Sequence, residues 1–206
     1  MLRSFMIAVL GLLLTVTPLS AMATTAPQTV FVDRLGQQAL SVLADKSLQR
    51  EEALVKFKTI LNSNFDVNTI GRFVLGRYWK VATPAEQTEY TKLFNAMVEK
   101  IYTDRFSLYS GETFVVGAAR ADAEKDTIVS SQIVRPQGPP VNVDWRVRES
   151  APNTFKIVDV IVEGVSMSVT QRAEFASVIQ RGGGTVESLL QVMRDKVATP
   201  ATKVAG

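Results

Sequence analysis

Along the first part of the chain, apolar residues return every three or four positions. Over residues 28–43 the set is Val32, Leu35, Ala39, Val42 and Leu43, the spacing of one helix face. A second helix is expected from about Ser47, with Glu51 and Glu52 in its opening turns, to Leu61. Asp66 reads as the N-cap of a short helix over 67–75 that Gly76 stops. Thr83-Pro84-Ala85-Glu86 is the strongest local signal. It offers a threonine to cap, a proline for the first helical position and a glutamate to complete a capping box. The helix it opens should run to about 109. Its stripe of Tyr90, Leu93, Phe94, Met97, Val98 and Ile101 lies beside a second ridge, Tyr102, Phe106 and Tyr109, so the apolar face is broad.

After Gly111 the period falls to two. Residues 113–119 and 127–135 read as strands separated by the polar stretch "RADAEKD". "RPQGPP", residues 135–140, is a turn stiffened by its prolines. Val141, Val143, Trp145 and Val147 then alternate with Asn142, Asp144, Arg146 and Arg148, as in a strand with one buried face. A polar loop at 149–153 leads into "TFKIVDVIVEGV", apolar on both faces apart from Lys156 and Asp159; this predicts a central strand covered on both sides. Residues 171–181 are helical again and stop at Gly182-Gly183-Gly184, after which Thr185 can cap a last helix to about 197. The predicted class is α+β: helices, a curved antiparallel sheet of about four strands, then helices.

Composition adds mostly exclusions. With 206 residues, 46% hydrophobic and 21% charged, the balance is that of a globular protein, read as one domain over 24–198 with a loose tail at 199–206. Residues 1–23, "MLRSFMIAVLGLLLTVTPLSAMA", place Arg3 before an apolar run and end on Ala21-Met22-Ala23. That is the pattern of a secretory signal cleaved after Ala23, and the run is short against the ~20 residues of a spanning helix. The formal charge of +3 falls to +2 without Arg3, too little to point to nucleic acid. Cysteine and histidine are both absent. There is therefore no disulfide framework, thiol nucleophile or histidine base, and almost no route to structural zinc. Carboxylate chemistry survives, with Asp159 in its apolar strand as the candidate general acid or base. The competing reading is a structural carboxylate paired with a neighbouring arginine.

Several segments in order carry a family likeness: "VLGRYWKVATPAEQ", "YSGETF", "RPQGPPVNVDWRVR" and "IVEGVSMSVTQRAEFASVIQRGGG", behind the signal sequence. Together, over about Phe65 to Met193, they resemble the MlaC, or toluene-tolerance auxiliary, family of periplasmic lipid-binding proteins. "VDWRVR" and "VTQRAEFASVIQRGG" are also similar to its hopanoid-associated HpnM branch. The resemblance implies a soluble, monomeric periplasmic carrier without a cofactor. It would take phospholipid, or a hopanoid, between an outer-membrane lipoprotein complex and an inner-membrane ABC transporter with its substrate-binding subunit. It also implies an NTF2-like fold with acyl chains enclosed in an apolar pocket and the headgroup near solvent. The N-terminal third shows only helical pattern and adds nothing to the likeness.

The physics of such cargo sets the requirement. Exposing a lipid chain to water costs about 0.8 kcal/mol per methylene, on the order of 13 kcal/mol for a chain of about sixteen carbons. A carrier must therefore supply a deep apolar wall. The candidate wall is Leu75, Tyr78 and Trp79 at a rim, Phe94, Met97, Val98, Ile101, Tyr102 and Phe106 along the long helix, and Val143, Trp145 and Val147 on the sheet. Arg72 and Arg77 flank the rim as candidate headgroup ligands. Each apolar position also fits plain core, and each arginine a solvated face. A filled-core structural subunit and an enzyme using Asp159 stand as the rival readings.

Overall fold

A computed structural model describes residues 26–105, 109–123 and 125–199; the expected signal at 1–23 and the tail beyond 199 lie outside them. Helix α1 spans Pro27–Ala44 and buries Phe31, Val32, Leu35 and Val42. Helix α2, Arg50–Asn64, begins later than Ser47. The reason is local: the Asp45 carboxylate accepts from both the backbone N–H and the hydroxyl of Ser47, which holds a turn where a helix would start. Helix α3 is Val67–Leu75, capped by Asp66 accepting from Thr69 N, and ends at Gly76 with φ +60°. A 3-10 turn, Gly76–Lys80, follows. Helix α4 spans Pro84–Arg105. Its capping box is formed in both directions, Glu86 N donating to Thr83 Oγ1 and Thr83 N to Glu86 Oε2.

The strands are β1 (Thr113–Ala123), β2 (Asp126–Val134), β3 (Val141–Ala151), β4 (Thr154–Val162) and β5 (Val165–Ser166), hydrogen-bonded in chain order. Helices α5 (Met167–Arg181) and α6 (Val186–Ala198) complete the chain. "RADAEKD" is largely strand, since Arg120 pairs with Ile128, Ala121 with Thr127 and Ala123 with Asp126. Two of its charges sit on the outer face, where Arg120 meets Asp144 and Asp122 meets Arg146. A strand end with a charged outer face reads as loop in sequence.

The expectation of a curved, NTF2-like sheet of about four strands is not met. The sheet has five strands in an open antiparallel meander, with β1 and β5 as its two unjoined edges. After β4 the chain reverses through Glu163 and Gly164, at φ +49° and +79°, and Val165 and Ser166 pair back onto Val162 and Ile161. Alternation tells which side chains share a face; it carries no information about whether the sheet's ends meet. Nor is β4 flanked by long strands on both edges. Beyond β5 its outer edge takes one bridge, Phe65 to Ile157, with Asp66 N donating to Ile157 O.

The interior divides in two. One cluster joins α3, α4, α5 and α6 through Val74, Leu75, Tyr90, Phe94, Met97, Phe175, Ile179, Leu189, Leu190 and Met193. The other packs Phe31, Val32 and Leu35 of α1 against Val129, Val147 and Ile157 of the sheet. Phe65 packs against both.

Candidate functional site

The inner face of the sheet follows from register. Val147 lies opposite Thr127 and Ile157, and Trp145 opposite Val129 and Val160. Val143 lies opposite Ser131 and Val162, and Ser131 opposite Val116. Helix α1 crosses one part of this face, from the Phe31–Phe155 ring contact at 5.9 Å to Gly36 beside Phe114. A β-carbon on Gly36 would come within 2.1 Å of the Phe114 ring, so only glycine admits that approach.

Beyond α1 the face is only half-covered. Val129, Val143, Val147 and Ile157 are buried, but Val116, Ile133, Val141, Trp145, Val160 and Val162 are intermediate. In a filled core such a contiguous apolar set would lie near zero exposure, as Val129 and Ile157 do. Trp145 is fixed in the middle of it. Its Nε1 donates to Ser131 Oγ at 2.9 Å, which donates onward to Val143 O. Phe65 and Phe114 meet its ring edge-on, at centroid distances of 6.4 and 6.1 Å. The result is a rigid aromatic platform whose polar atoms are satisfied within the sheet.

The expected wall residues divide between the two clusters. Leu75, Phe94 and Met97 are buried in the helical cluster, where Tyr78, Trp79 and Val98 pack against it partly buried. Ile101 is 42% exposed at the far end of α4. The side chain of Tyr102 and all of Phe106 lie outside the described residues. Val143 and Val147 are buried under the inner sheet face, beside the half-covered Trp145. Five positions that the sequence reading passed over join this face: Val116, Ile133, Phe65, Val160 and Val162. The alternation of Phe114 and Val116 was a usable signal for β1. The facing of Val160 and Val162 was hidden in a continuous apolar run.

The helical cluster is tightly satisfied. Tyr90 donates its hydroxyl to Gly71 O at 2.8 Å, and burial pushes the phenol far above its ordinary range, so it stays neutral. Between α5 and α6 there is a half-open cleft of about 560 Å³, whose lining includes buried Met97, Phe175, Leu189 and Met193 and polar Glu174, Arg181 and Lys196. Of the expected wall residues it includes Met97. It is separate from the sheet face, and its charged margin suits an alkyl chain less well than the valines there.

The charged candidates have partners of their own. Asp159 is 3% exposed. Its Oδ1 accepts from Val160 N and Ser168 N, its Oδ2 from Ser166 Oγ at 2.6 Å, and Arg146 Nη1 stands 3.9 Å away. It ties β5 and the start of α5 to β4, as a structural carboxylate. Arg148 forms a two-pronged pair with Asp126, at 2.7 and 2.8 Å. That pairing holds the guanidinium pKa above its ordinary value. Arg72 lies over the Trp79 ring and Arg77 over that of Tyr78. Among the described residues no group of three or more His, Cys, Asp or Glu is placed to hold a metal ion, and no helix is long and apolar enough to cross a membrane.

Comparison with known proteins places this arrangement in a family. The chain is 24% identical to the toluene tolerance protein Ttg2D of Pseudomonas putida over 140 residues, 68% of this chain and 65% of that protein. The match thus spans just under two thirds of the relative's length. A solved phospholipid-binding protein from Ralstonia solanacearum, in complex with a phospholipid, superposes with a TM-score of 0.70 at 26% identity. That match covers 85% of this chain and 98% of the other. The family model described as MlaC protein matches residues 33–195. The chain belongs to the MlaC family.

Proposed function

We propose that the mature chain is a non-enzymatic periplasmic lipid carrier, holding phospholipid acyl chains between the helical cluster and the uncovered part of the inner sheet face. The observation that carries this reading is the half-covered apolar set around Trp145. It is a wall without a filled opposite side, in a chain whose structural relative was solved with a phospholipid bound. Val143, Trp145 and Val147 would form its sheet side, joined by Val160 and Val162. Leu75, Tyr78, Trp79, Phe94, Met97, Val98 and Ile101, with Tyr102 and Phe106, would form or back the helical side. Arg72 and Arg77 are the proposed contacts for a lipid phosphate.

Carriage of this kind requires burial and release and no reaction, which suits a chain without cysteine or histidine. It moves lipid only down a free-energy gradient, so directed transport needs an energised partner. The family likeness supports an inner-membrane ABC transporter complex in that role and an outer-membrane lipoprotein complex at the other end. The test is to express the chain with its signal, purify it without detergent, denature it and identify the extracted lipids by mass spectrometry. Stoichiometric phospholipid is the expected result. No extractable lipid, together with failure to load from vesicles, would replace the carrier with a filled-core structural subunit.

A further inference from the structure

Three guanidiniums at one corner of the molecule lie on aromatic rings. Arg72 stands over Trp79 at 5.1 Å, Arg77 over Tyr78 at 5.0 Å, and Arg172 of α5 over Phe73 of α3 at 5.1 Å. Gly76 lets the two segments meet, because a β-carbon there would stand 2.7 Å from Arg172 Nε. None of the three has a described carboxylate within ion-pair distance, whereas Arg120, Arg146, Arg148 and Arg194 are all paired. The segments that form the corner, residues 67–81 and 165–173, contain Arg72, Arg77, Lys80 and Arg172. The acids that flank them in sequence bond elsewhere: Asp66 caps α3, Glu163 accepts from Asn142 and Glu174 from Gln171. Apolar side chains are exposed among these cations. Phe73 is 42% and Val169 54% exposed, and Val169 sits one turn before Arg172 on α5.

An exposed apolar patch alone says nothing of its occupant; here the uncompensated charge does. Arginines resting on rings can still turn N–H groups to phosphate oxygens, although Arg77 spends one on the Tyr78 hydroxyl at 3.0 Å. Aromatic and aliphatic side chains beside them are suited to the headgroup level of a bilayer, where one end is dry and the other wet. We propose that this corner docks on the surface of an anionic phospholipid bilayer, so that the protein meets a membrane through Lys80 and Arg172 while Arg72 and Arg77 face the cargo headgroup. The proposal rests on the carrier reading, since a carrier must approach the source of its cargo. Each basic residue at an anionic surface multiplies partitioning roughly fivefold.

The test sediments the cargo-loaded wild-type protein with sucrose-filled vesicles, either phosphatidylglycerol mixed with phosphatidylcholine or phosphatidylcholine alone. Binding to the anionic vesicles only, weakened by salt, is expected. Combining Phe73→Ser, Lys80→Glu and Arg172→Glu should lower it at least about 25-fold, two basic residues' worth, with extracted phospholipid unchanged. If the triple variant fails to fold by circular dichroism, Arg172→Gln alone should lower binding about fivefold. Equal binding to both vesicles, or a folded variant that binds like wild type, would overturn the proposal. So would cargo-bearing wild type that ignores anionic vesicles, which would point to an acidic protein as the partner of this corner. Absence of cargo from the wild type strikes instead at the carrier reading.

Discussion

Truncating Asp159 to alanine removes the acceptor for Ser166 Oγ, Ser168 N and Val160 N in one step. Donors left buried without a partner cost about 1–3 kcal/mol. Asp159→Ala should therefore lower the unfolding free energy in urea by about 2–3 kcal/mol, and wild-type stability in that variant would show that water replaces the carboxylate. The residue's two possible roles were both legible in the sequence, as a lone carboxylate among valines. The choice between them was not. It depends on Ser166 and Ser168 being folded back by the Glu163–Gly164 reversal, and no local pattern reports that. At Asp66 and Thr83 the opposite holds, because cap and capped N–H lie within three residues, and short-range chemistry is what sequence reading sees best.

Elements show the same division between local and non-local causes. Helix α3 and the start of α4 follow the sequence closely, while β4 hides a bulge. Val147 pairs with Ile157 and Arg146 with Asp159, so Val158 is the extra residue. Ile157 thereby faces the core and Asp159 the charged outer side, although two apart they would otherwise share a face. In an unbroken apolar run such a shift leaves no trace, which is why Val160 and Val162 went unassigned. Gly36 is a second case, an ordinary helix glycine until Phe114 is seen against it. Gly36→Ala should cost about 1–3 kcal/mol through overpacking, read as a lowered urea midpoint; an unchanged midpoint would mean that the ring swings aside freely. The β4–β5 reversal also has a pH signature. Asn142 N and its side-chain amide donate to the Glu163 carboxylate, which holds its pKa below the ordinary 4.5. A lowered native pKa means that the contribution is present above 4.5 and is lost as pH falls through the native value. The stability gap between wild type and Glu163→Gln should thus close in acid, below pH 4.5; a gap that stays constant across that range would contradict it.

For the molecule as a whole, two hydrophobic clusters share Phe65, and the proposed carrier role rests on the apolar sheet surface left half-covered beside them. The α+β class and the order of helices and long strands were legible in the sequence. The open edges of the sheet and the division of the candidate wall between clusters were not, because both depend on contacts between distant segments. The chain has two tryptophans, Trp79 and Trp145, so Trp79→Phe leaves one reporter, on the sheet face. We would load that variant with phospholipid brominated along its acyl chains, confirm loading by mass spectrometry and compare Trp145 emission with that of the unbrominated lipid. Strong quenching is expected, since bromine quenches at contact range. Unchanged emission from a fully loaded protein would place the acyl chains away from Trp145 and overturn the proposed lipid site.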